Sequence, residues 1–475
     1  MKRLAGRRFA AARGCCAPAP RSARTQAGTD ILRTMSTREC ADLLIEARWL
    51  LPIAPANIAL ADHAVAVCAG RIVAMGPAAQ LRARFEIRER VVRERHALLP
   101  GLVNAHTRAC HTLLRGLPVR GPRGRWLTET LAPVERRCLS ADFVRDGTRL
   151  GMAEMLRAGI TCFADLSLFP EEAARAAAAA HMRAAIGLPV ADAPTPWAEN
   201  ATAHLARAER LWDEYRADSR ISLYFAPLTA HGMSEALLMR VRRVADELDA
   251  RVAVHLAELA APAEPAAAGV QDSAGAPRPA RPLRQLYALG LLRPGFTAIG
   301  AGVCDGADLE LIARHGASLI ACPQADLRLG ARSPVAALEG NRTGLGTDSP
   351  AAAGALDMLA EARTAALQSG LGGGEALRMA TLGGATVLGL QAQIGSIEPG
   401  KAADLICIDL GVLGSQPAAA IHDALTFAAI RSQVSDVWTA GRLAVSRARL
   451  VAFDEEELAG LPARWAQRIR LEAAA

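Results

Sequence analysis

The chain has 475 residues, of which 51% are hydrophobic, and its mean hydropathy is +0.15; these values suit an α/β protein with a large core and more than one domain. No apolar run reaches the roughly 18–20 residues that a membrane helix needs, so we expect no membrane partner. The net charge is +7, but residues 1–34 hold eight basic and one acidic side chains and account for all of it. The balanced remainder predicts no nucleic-acid partner.

The basic tail and the cysteines bear on location. Residues 1–34 are rich in Arg, Ala, Ser and Pro, which is the composition of a transit peptide. We interpret them instead as a disordered tail or a mis-called start before Met35. The ten cysteines are scattered and contain no Cys-x-x-Cys pair. This pattern indicates neither a disulfide framework nor a thiolate zinc site, and it predicts a reducing, cytoplasmic location.

Both ends of the chain are predicted to be rich in β-structure. Residues 40–95 and 391–452 alternate short apolar runs with turns, and we expect them to form one composite β domain. The predicted strands are 41–49, 63–68, 71–75, 403–409 and 434–439. An acidic run at 454–457 predicts the start of a C-terminal helix over 453–475, because carboxylates suit the first turn of a helix.

The middle of the chain, residues 96–390, has a different pattern. Short apolar strands alternate with amphipathic helices, as in the strand at 221–226 and the helix that follows from Ser234. Repeated strand–helix units over this length predict an α/β fold of the (β/α)8 TIM-barrel type, in which active residues lie at the C-terminal ends of strands. A stretch at 260–282 rich in Ala, Pro and Gly is either a mobile loop beside the site or a floppy insertion.

Three motifs of this middle region carry chemistry. Residues 99–106 form an apolar run that ends in Asn-Ala-His106, and later apolar runs end in His255-Leu-Ala-Glu258 and Gly-Thr-Asp348. A lone histidine on an apolar strand is more often a packed core residue than a metal ligand. The occurrence of all three motifs in this order favours a metal site.

Together with residues 112–116, 154–161 and 394–404, these motifs resemble the TRZ/ATZ group of the amidohydrolase superfamily, near its 5-methylthioadenosine/S-adenosylhomocysteine deaminases. The resemblance covers about residues 41–450. It implies hydrolysis of a carbon–nitrogen bond, other than a peptide bond, in a cyclic amidine. It implies the following residue roles: one zinc or iron ion held by His106, His255 and Asp348, catalysis by Glu258 and Asp348 with Glu258 as the proton shuttle, and substrate contacts from Trp126 and His231.

Four positions depart from the family pattern, and all belong to the inferred site. Arg108 stands at the second histidine of a His-x-His pair, and a guanidinium has no free lone pair with which to bind a metal. Ala301 stands where a histidine would hold the reactive water, and Leu228 replaces a histidine of the substrate loop. Residues 352–355 are apolar where the family is polar. The scaffold motifs are retained, so the substitutions concentrate at the site.

Two hypotheses follow from these departures. In the first, the fold is kept and the parent reaction is lost, with Arg108 filling the metal's place beside Asp348 or Glu258. In the second, chemistry persists with three protein ligands, the number that many catalytic zinc sites use, and Cys110 or His111 is a replacement ligand.

We interpret the chain as a hydrolase of non-peptide carbon–nitrogen bonds, of the nucleoside deaminase type, whose metal site is degraded and whose parent activity is weak or lost. The alternative is a catalytically inactive paralogue that holds no metal and acts as a binding or structural subunit. The expected partners are a small-molecule substrate and a second chain, either an identical copy or a paralogue.

Overall fold

The computed structural model describes residues 38–228, 233–256, 282–300, 302, 304–332, 335, 342–451 and 453–473. The strands are β1 (Glu39–Leu50), β2 (Leu60–Cys68), β3 (Arg71–Pro77), β4 (Phe85–Pro100), β5 (Leu102–Thr107), β6 (Ile160–Asp165), β7 (Arg183–Val190), β8 (Ile221–Pro227), β9 (Arg251–His255), β10 (Phe296–Ile299), β11 (Ser318–Ala321), β12 (Thr343–Leu345), β13 (Leu405–Asp409), β14 (Val434–Thr439), β15 (Arg442–Ser446) and β16 (Arg449–Leu450).

The α-helices are α1 (Ala78–Arg84), α2 (Arg123–Trp126), α3 (Ala132–Cys138), α4 (Ala141–Arg157), α5 (Pro170–Ala179), α6 (Ala201–Tyr215), α7 (Glu235–Glu247), α8 (Pro282–Ala288), α9 (Gly306–Arg314), α10 (Pro323–Arg328), α11 (Pro350–Ala353), α12 (Met358–Ser369), α13 (Gly373–Arg378), α14 (Gly384–Val387), α15 (Ile421–Asp423) and α16 (Glu455–Ala473). A π-helical turn, Leu127–Leu131, joins α2 to α3. Among the helices described, none is long and apolar enough to cross a membrane.

The terminal sheet contains strands from both ends of the chain. Its order is β16-β15-β14-β13-β4-β1-β2-β3. The long strand β4 joins the two groups, because it pairs in parallel with β1 and antiparallel with β13. The two regions predicted to be rich in β-structure therefore share one sheet, while the limits of a composite domain at 40–95 and 391–452 stay a prediction. Residues 1–34, the predicted tail, lie outside the described part of the chain.

The barrel sheet contains β5 to β12 in consecutive order, and every neighbouring pair is parallel. A parallel bridge between Thr107, at the end of β5, and Asp348, just after β12, closes the circle. This confirms the predicted TIM-type barrel. Parallel strands of this kind are covered by helices on their outer face, which explains why the strands read as almost continuous apolar runs.

Gly101 marks the passage from the terminal sheet into the barrel, between β4 and β5. A Cβ atom at this position would lie 2.0 Å from Oγ1 of Thr161, so only glycine lets the chain pass this close to β6. The apolar run at 99–106 therefore belongs to two sheets. It reads as one strand in the sequence because both parts are buried.

The C-terminal helix α16 packs on α4. The Trp465 ring meets the Phe143 ring edge-on at 5.1 Å, and its Nε1 donates to Oδ2 of Asp146 at 3.0 Å. The helix begins within the acidic run at 454–457. Residues 260–281 of the predicted linker lie outside the described residues, and Pro282 begins α8.

Candidate metal centre

The end of β5 is fastened to the segment that follows β12. The Asn104 side chain donates to Oγ1 of Thr347 at 2.8 Å and accepts from its backbone N–H at 3.0 Å. The Asp348 N–H donates to the His106 carbonyl at 3.0 Å. A Cβ atom at Gly346 would lie 2.7 Å from that same carbonyl oxygen, so the absence of a side chain permits the approach. These contacts place His106 and Asp348 side by side.

The structure brings together three of the predicted site residues, His106, His255 and Asp348, which we call the metal triad. His106 lies near the end of β5, His255 is the last residue of β9, and Asp348 follows β12. One potential ligand atom from each lies within 4.8 Å of the others, and in the described ranges of the chain this is the one such group. The Nε2 atoms of His106 and His255 each lie 3.7 Å from a different Asp348 oxygen, which is too far for a hydrogen bond.

The protonation states of His106 and Asp348 suit a divalent metal. Burial lowers the pKa of His106, so its ring is neutral, and neither of its nitrogens has a hydrogen-bond partner among the described residues. Burial opposes the ionisation of Asp348, but the Arg123 guanidinium holds its pKa well below the usual range. Neutral imidazole and ionised carboxylate are the forms that bind zinc or iron, so the donor set fits such an ion.

The backbone of Asp348 takes a left-handed conformation, with φ at 53°. Aspartate adopts this region more easily than most residues, and such conformations concentrate at functional sites. The next residue, Ser349, donates its N–H to Oδ1 of Asp348 at 2.7 Å. The turn therefore fixes the orientation of the carboxylate.

The guanidinium that contacts Asp348 belongs to Arg123, the first residue of α2. Its Nη1 donates to Oδ2 of Asp348 at 2.7 Å, and its Nη2 donates to Oδ1 of Asp326 at 2.9 Å. The exposed fractions of the three side chains are 8%, 3% and 1% for Arg123, Asp348 and Asp326. Sequence reasoning missed both Arg123 and Asp326. Asp326 lies in α10, the helix that follows β11, so a search of the segments after each barrel strand could have found it, whereas no motif points to Arg123.

Arg108 faces a different partner. Its Nη1 lies 3.7 Å from Oε1 of Glu135, an oxygen that also lies 3.0 Å from Nε2 of His111. Among the described residues, the arginine that contacts Asp348 is Arg123. Glu258, the other suggested partner of Arg108, lies outside the described residues, so the hypothesis that Arg108 takes the metal's place stays a prediction. His111 has its other ring nitrogen 2.9 Å from Oγ of Ser349, so both nitrogens are engaged outside the triad.

Cys110, the other suggested replacement ligand, is also engaged elsewhere. Its Sγ lies 3.4 Å from Oγ of Ser167. Burial raises the pKa of the thiol, which keeps it protonated, whereas a metal binds the thiolate. The described structure therefore offers no fourth ligand at residues 110 and 111.

Of the remaining predicted site residues, Trp126 and Leu228 lie in the described part of the chain. Trp126 is buried, and its Nε1 donates to the Pro118 carbonyl at 3.2 Å. Leu228 is buried and lines a cavity together with Arg108 and Glu135, which places two of the substituted positions on one cavity wall. Glu258, His231 and Ala301 lie outside the described residues.

A parallel barrel whose strand ends carry histidine and aspartate ligands has the architecture of metal-dependent hydrolases. The chain belongs to the amidohydrolase family, and its similarity to that family extends over residues 97–444. This confirms the resemblance drawn from the motifs.

Two relatives are similar along nearly the whole chain. The 5-methylthioadenosine/S-adenosylhomocysteine deaminase of Teredinibacter turnerae is 36% identical over 92% of this chain and 99% of its own length. The zinc-bound crystal structure of an adenosine deaminase from Xanthomonas campestris is 39% identical, with a TM-score of 0.85, over 91% of this chain and 100% of that chain. A zinc complex of atrazine chlorohydrolase from Arthrobacter aurescens shares the fold at 22% identity and a TM-score of 0.76, over 90% and 100% of the two chains.

Proposed function

We propose that this protein is a metal-dependent hydrolase that releases an amino group from a cyclic amidine, such as the base of a purine nucleoside. The observation that carries the proposal is the buried metal triad, whose ligand atoms lie within 4.8 Å of one another. Relatives that are named deaminases support the substrate class, and one similar structure contains zinc.

The residues of the triad would divide the work as follows. His106 and His255 present imidazole nitrogens, and Asp348 presents a carboxylate held in place by the Ser349 N–H. A zinc or iron ion bound there would lower the pKa of a water molecule to about 7 and so supply a nucleophile at neutral pH. We propose that Glu258, three residues after His255, carries the proton to the departing amine.

The substitutions around the triad set our expectation for the rate. Arg108 cannot serve as a ligand, and it lines the same cavity as Leu228. Ala301 offers no ring to hold a water molecule. We therefore expect deamination of 5-methylthioadenosine to be slower by several powers of ten than an intact site would allow. Trp126 and His231 stay our proposed substrate contacts.

A second candidate function is an inactive paralogue that acts as a binding or structural subunit. The observation that favours it is the ion pair between Arg123 and Asp348, because a buried carboxylate that is already neutralised needs no metal for stability. Such a subunit would act by associating with an active relative.

The test is elemental analysis of protein that starts at Met35 and is purified without chelators, combined with an ammonia-release screen of cyclic amidines. The control is His255→Ala in the same preparation. About one zinc or iron per chain, lost in the variant, together with ammonia release from any cyclic amidine, would support the hydrolase. Absence of metal even after incubation with zinc would overturn it in favour of the subunit. Efficient release from 5-methylthioadenosine would contradict only the expected weakness of the parent reaction.

A further inference from the structure

Arg123, the buried cation beside the triad, contacts two carboxylates in the described part of the chain. Arg123 bridges Asp348 and Asp326, with donor–acceptor distances of 2.7 and 2.9 Å. All three side chains are at least nine-tenths buried, so water screens these charges very little. Two carboxylates therefore share this guanidinium before any metal enters.

Both oxygens of Asp348 already accept a hydrogen bond. Oδ1 accepts from the Ser349 N–H, and Oδ2 accepts from Arg123. The Oδ2 atom is also the one that lies 3.7 Å from Nε2 of His255, so it borders the space between the three triad residues. A divalent ion bound in that space would lie within a few ångströms of a positive guanidinium in a medium of low dielectric constant, where like charges repel strongly.

We propose that Arg123 is an internal cation that competes with the metal for Asp348. This inference rests on the metal site of the proposed function. When a divalent ion occupies the triad, the guanidinium leaves Oδ2 of Asp348 and keeps its contact with Asp326. The carboxylate of Asp326 thus serves as the second partner that makes the exchange possible, and the competition sets the affinity of the site for metal.

The helical segment Arg123–Cys138 connects this exchange to the rest of the barrel mouth. Its first residue contacts the triad, and its Glu135 contacts His111 and lies 3.7 Å from Arg108. The segment is therefore attached to the strand ends by charged groups at two points. Metal binding would remove the direct contact between this segment and the triad, while the contact of Arg123 with Asp326 is kept.

The experiment compares zinc affinities, measured by competition with a chromophoric chelator, in the wild type and three variants. Arg123→Met removes the competing charge and keeps most of the volume, so we expect zinc to bind at least about 10-fold more tightly. Asp326→Asn removes the carboxylate to which Arg123 would move, so the guanidinium stays on Asp348. We therefore expect zinc to bind about 5-fold more weakly. The control, Arg125→Met, removes an exposed arginine of the same helix that contacts Glu129, and we expect no change.

Thermal unfolding with and without zinc provides a second readout. If Arg123→Met folds only when zinc is present, the ion replaces the missing charge and the proposal is supported. If that variant does not fold under either condition, the Asp326→Asn affinity decides alone. Weaker binding in Arg123→Met, or tighter binding in Asp326→Asn, would mean that Arg123 supports the ligand, and the proposal would fail.

The same data separate this inference from the proposed function. Equal zinc binding by the wild type and Arg123→Met would overturn the competition and leave the metal site intact. Binding by Arg123→Met but not by the wild type would support the competition and argue against catalysis by the natural chain. If neither the wild type nor any variant binds zinc, both the site and the competition are wrong.

Discussion

The barrel's strand ends and the helical segment Arg123–Cys138 contribute to the same site by different means. The metal triad is placed by backbone geometry: the Asp348 N–H bonds to the His106 carbonyl, and His255 ends a strand whose register is fixed by its neighbours. The helical segment is attached by side-chain charges, through Arg123 and Glu135. The fold therefore determines which ligands lie close together, and the helical segment supplies the charge that neutralises Asp348.

The largest expected effect comes from a change at the strand ends. Asp348→Asn removes the anionic ligand, and it removes one of the two carboxylates that Arg123 contacts among the described residues. We expect zinc content to fall to background and ammonia release to drop by at least about 10³-fold. Metal analysis and initial rates on the same sample measure both. Asp213→Asn, which changes an exposed aspartate, is the control. Full metal content in Asp348→Asn would show that the ion binds elsewhere.

The same contrast explains what could be predicted from the sequence. His106, His255 and Asp348 each follow a buried apolar run, so strand periodicity and barrel geometry together place them at one end of the sheet. The barrel and the pairing of the terminal strands follow from the same periodic pattern.

The contacts of the helical segment could not be predicted in this way. Arg123 and Glu135 lie in a region without a strong period, because a π-helical turn interrupts the helix between them. The partner of Arg123 lies more than 200 positions further along the chain, at Asp348. Charge pairs over such separations leave no local signal, so the sequence gives no indication that Arg123 contacts Asp348.

The second largest effect is expected from a substitution at the close approach of β12 to β5, and it concerns stability. Gly346→Ala would place a Cβ atom 2.7 Å from the His106 carbonyl oxygen, so β12 must move away from β5. We expect a loss of about 3 kcal/mol in the free energy of unfolding, as for other overpacked core positions. Urea unfolding measures it. Gly414→Ala, where a Cβ atom would meet nothing within 4 Å, is the matched control. Equal effects of the two variants would contradict the close approach.

Two buried carboxylates of this region, Glu361 and Asp348, differ in the direction in which their pKa is shifted. Burial raises the pKa of Glu361 well above its usual range, whereas the Arg123 guanidinium helps to hold that of Asp348 low against the same burial. Native Glu361 keeps a proton that the unfolded chain releases above about pH 4.3, so its contribution to stability is lost as pH rises towards the native pKa.

Glu361→Gln removes this dependence and keeps an oxygen for the Gln324 N–H, which Oε2 accepts at 3.0 Å. Relative to the wild type, we expect the variant to gain stability progressively as the pH rises from 5 to 8. Urea unfolding across that range measures it, with the exposed Glu247→Gln as the control. A constant difference between Glu361→Gln and the wild type at every pH would show that Glu361 is ionised in the native protein.

The smallest expected effect is that of Arg108→His, the change that would complete the His-x-His pair. The side chain at position 108 lies beside Glu135, and Arg123 remains on Asp348, so a new imidazole does not relieve the charge at the triad. We expect the rate of ammonia release to stay within about 10-fold of the wild type. In the double variant Arg108→His with Arg123→Met, the increase in the rate of ammonia release should exceed the sum of the increases in the two single variants. The double variant both supplies a ligand and removes the competing cation. A rise of about 10³-fold in Arg108→His alone would show that the strand ends, without the helical segment, control this site.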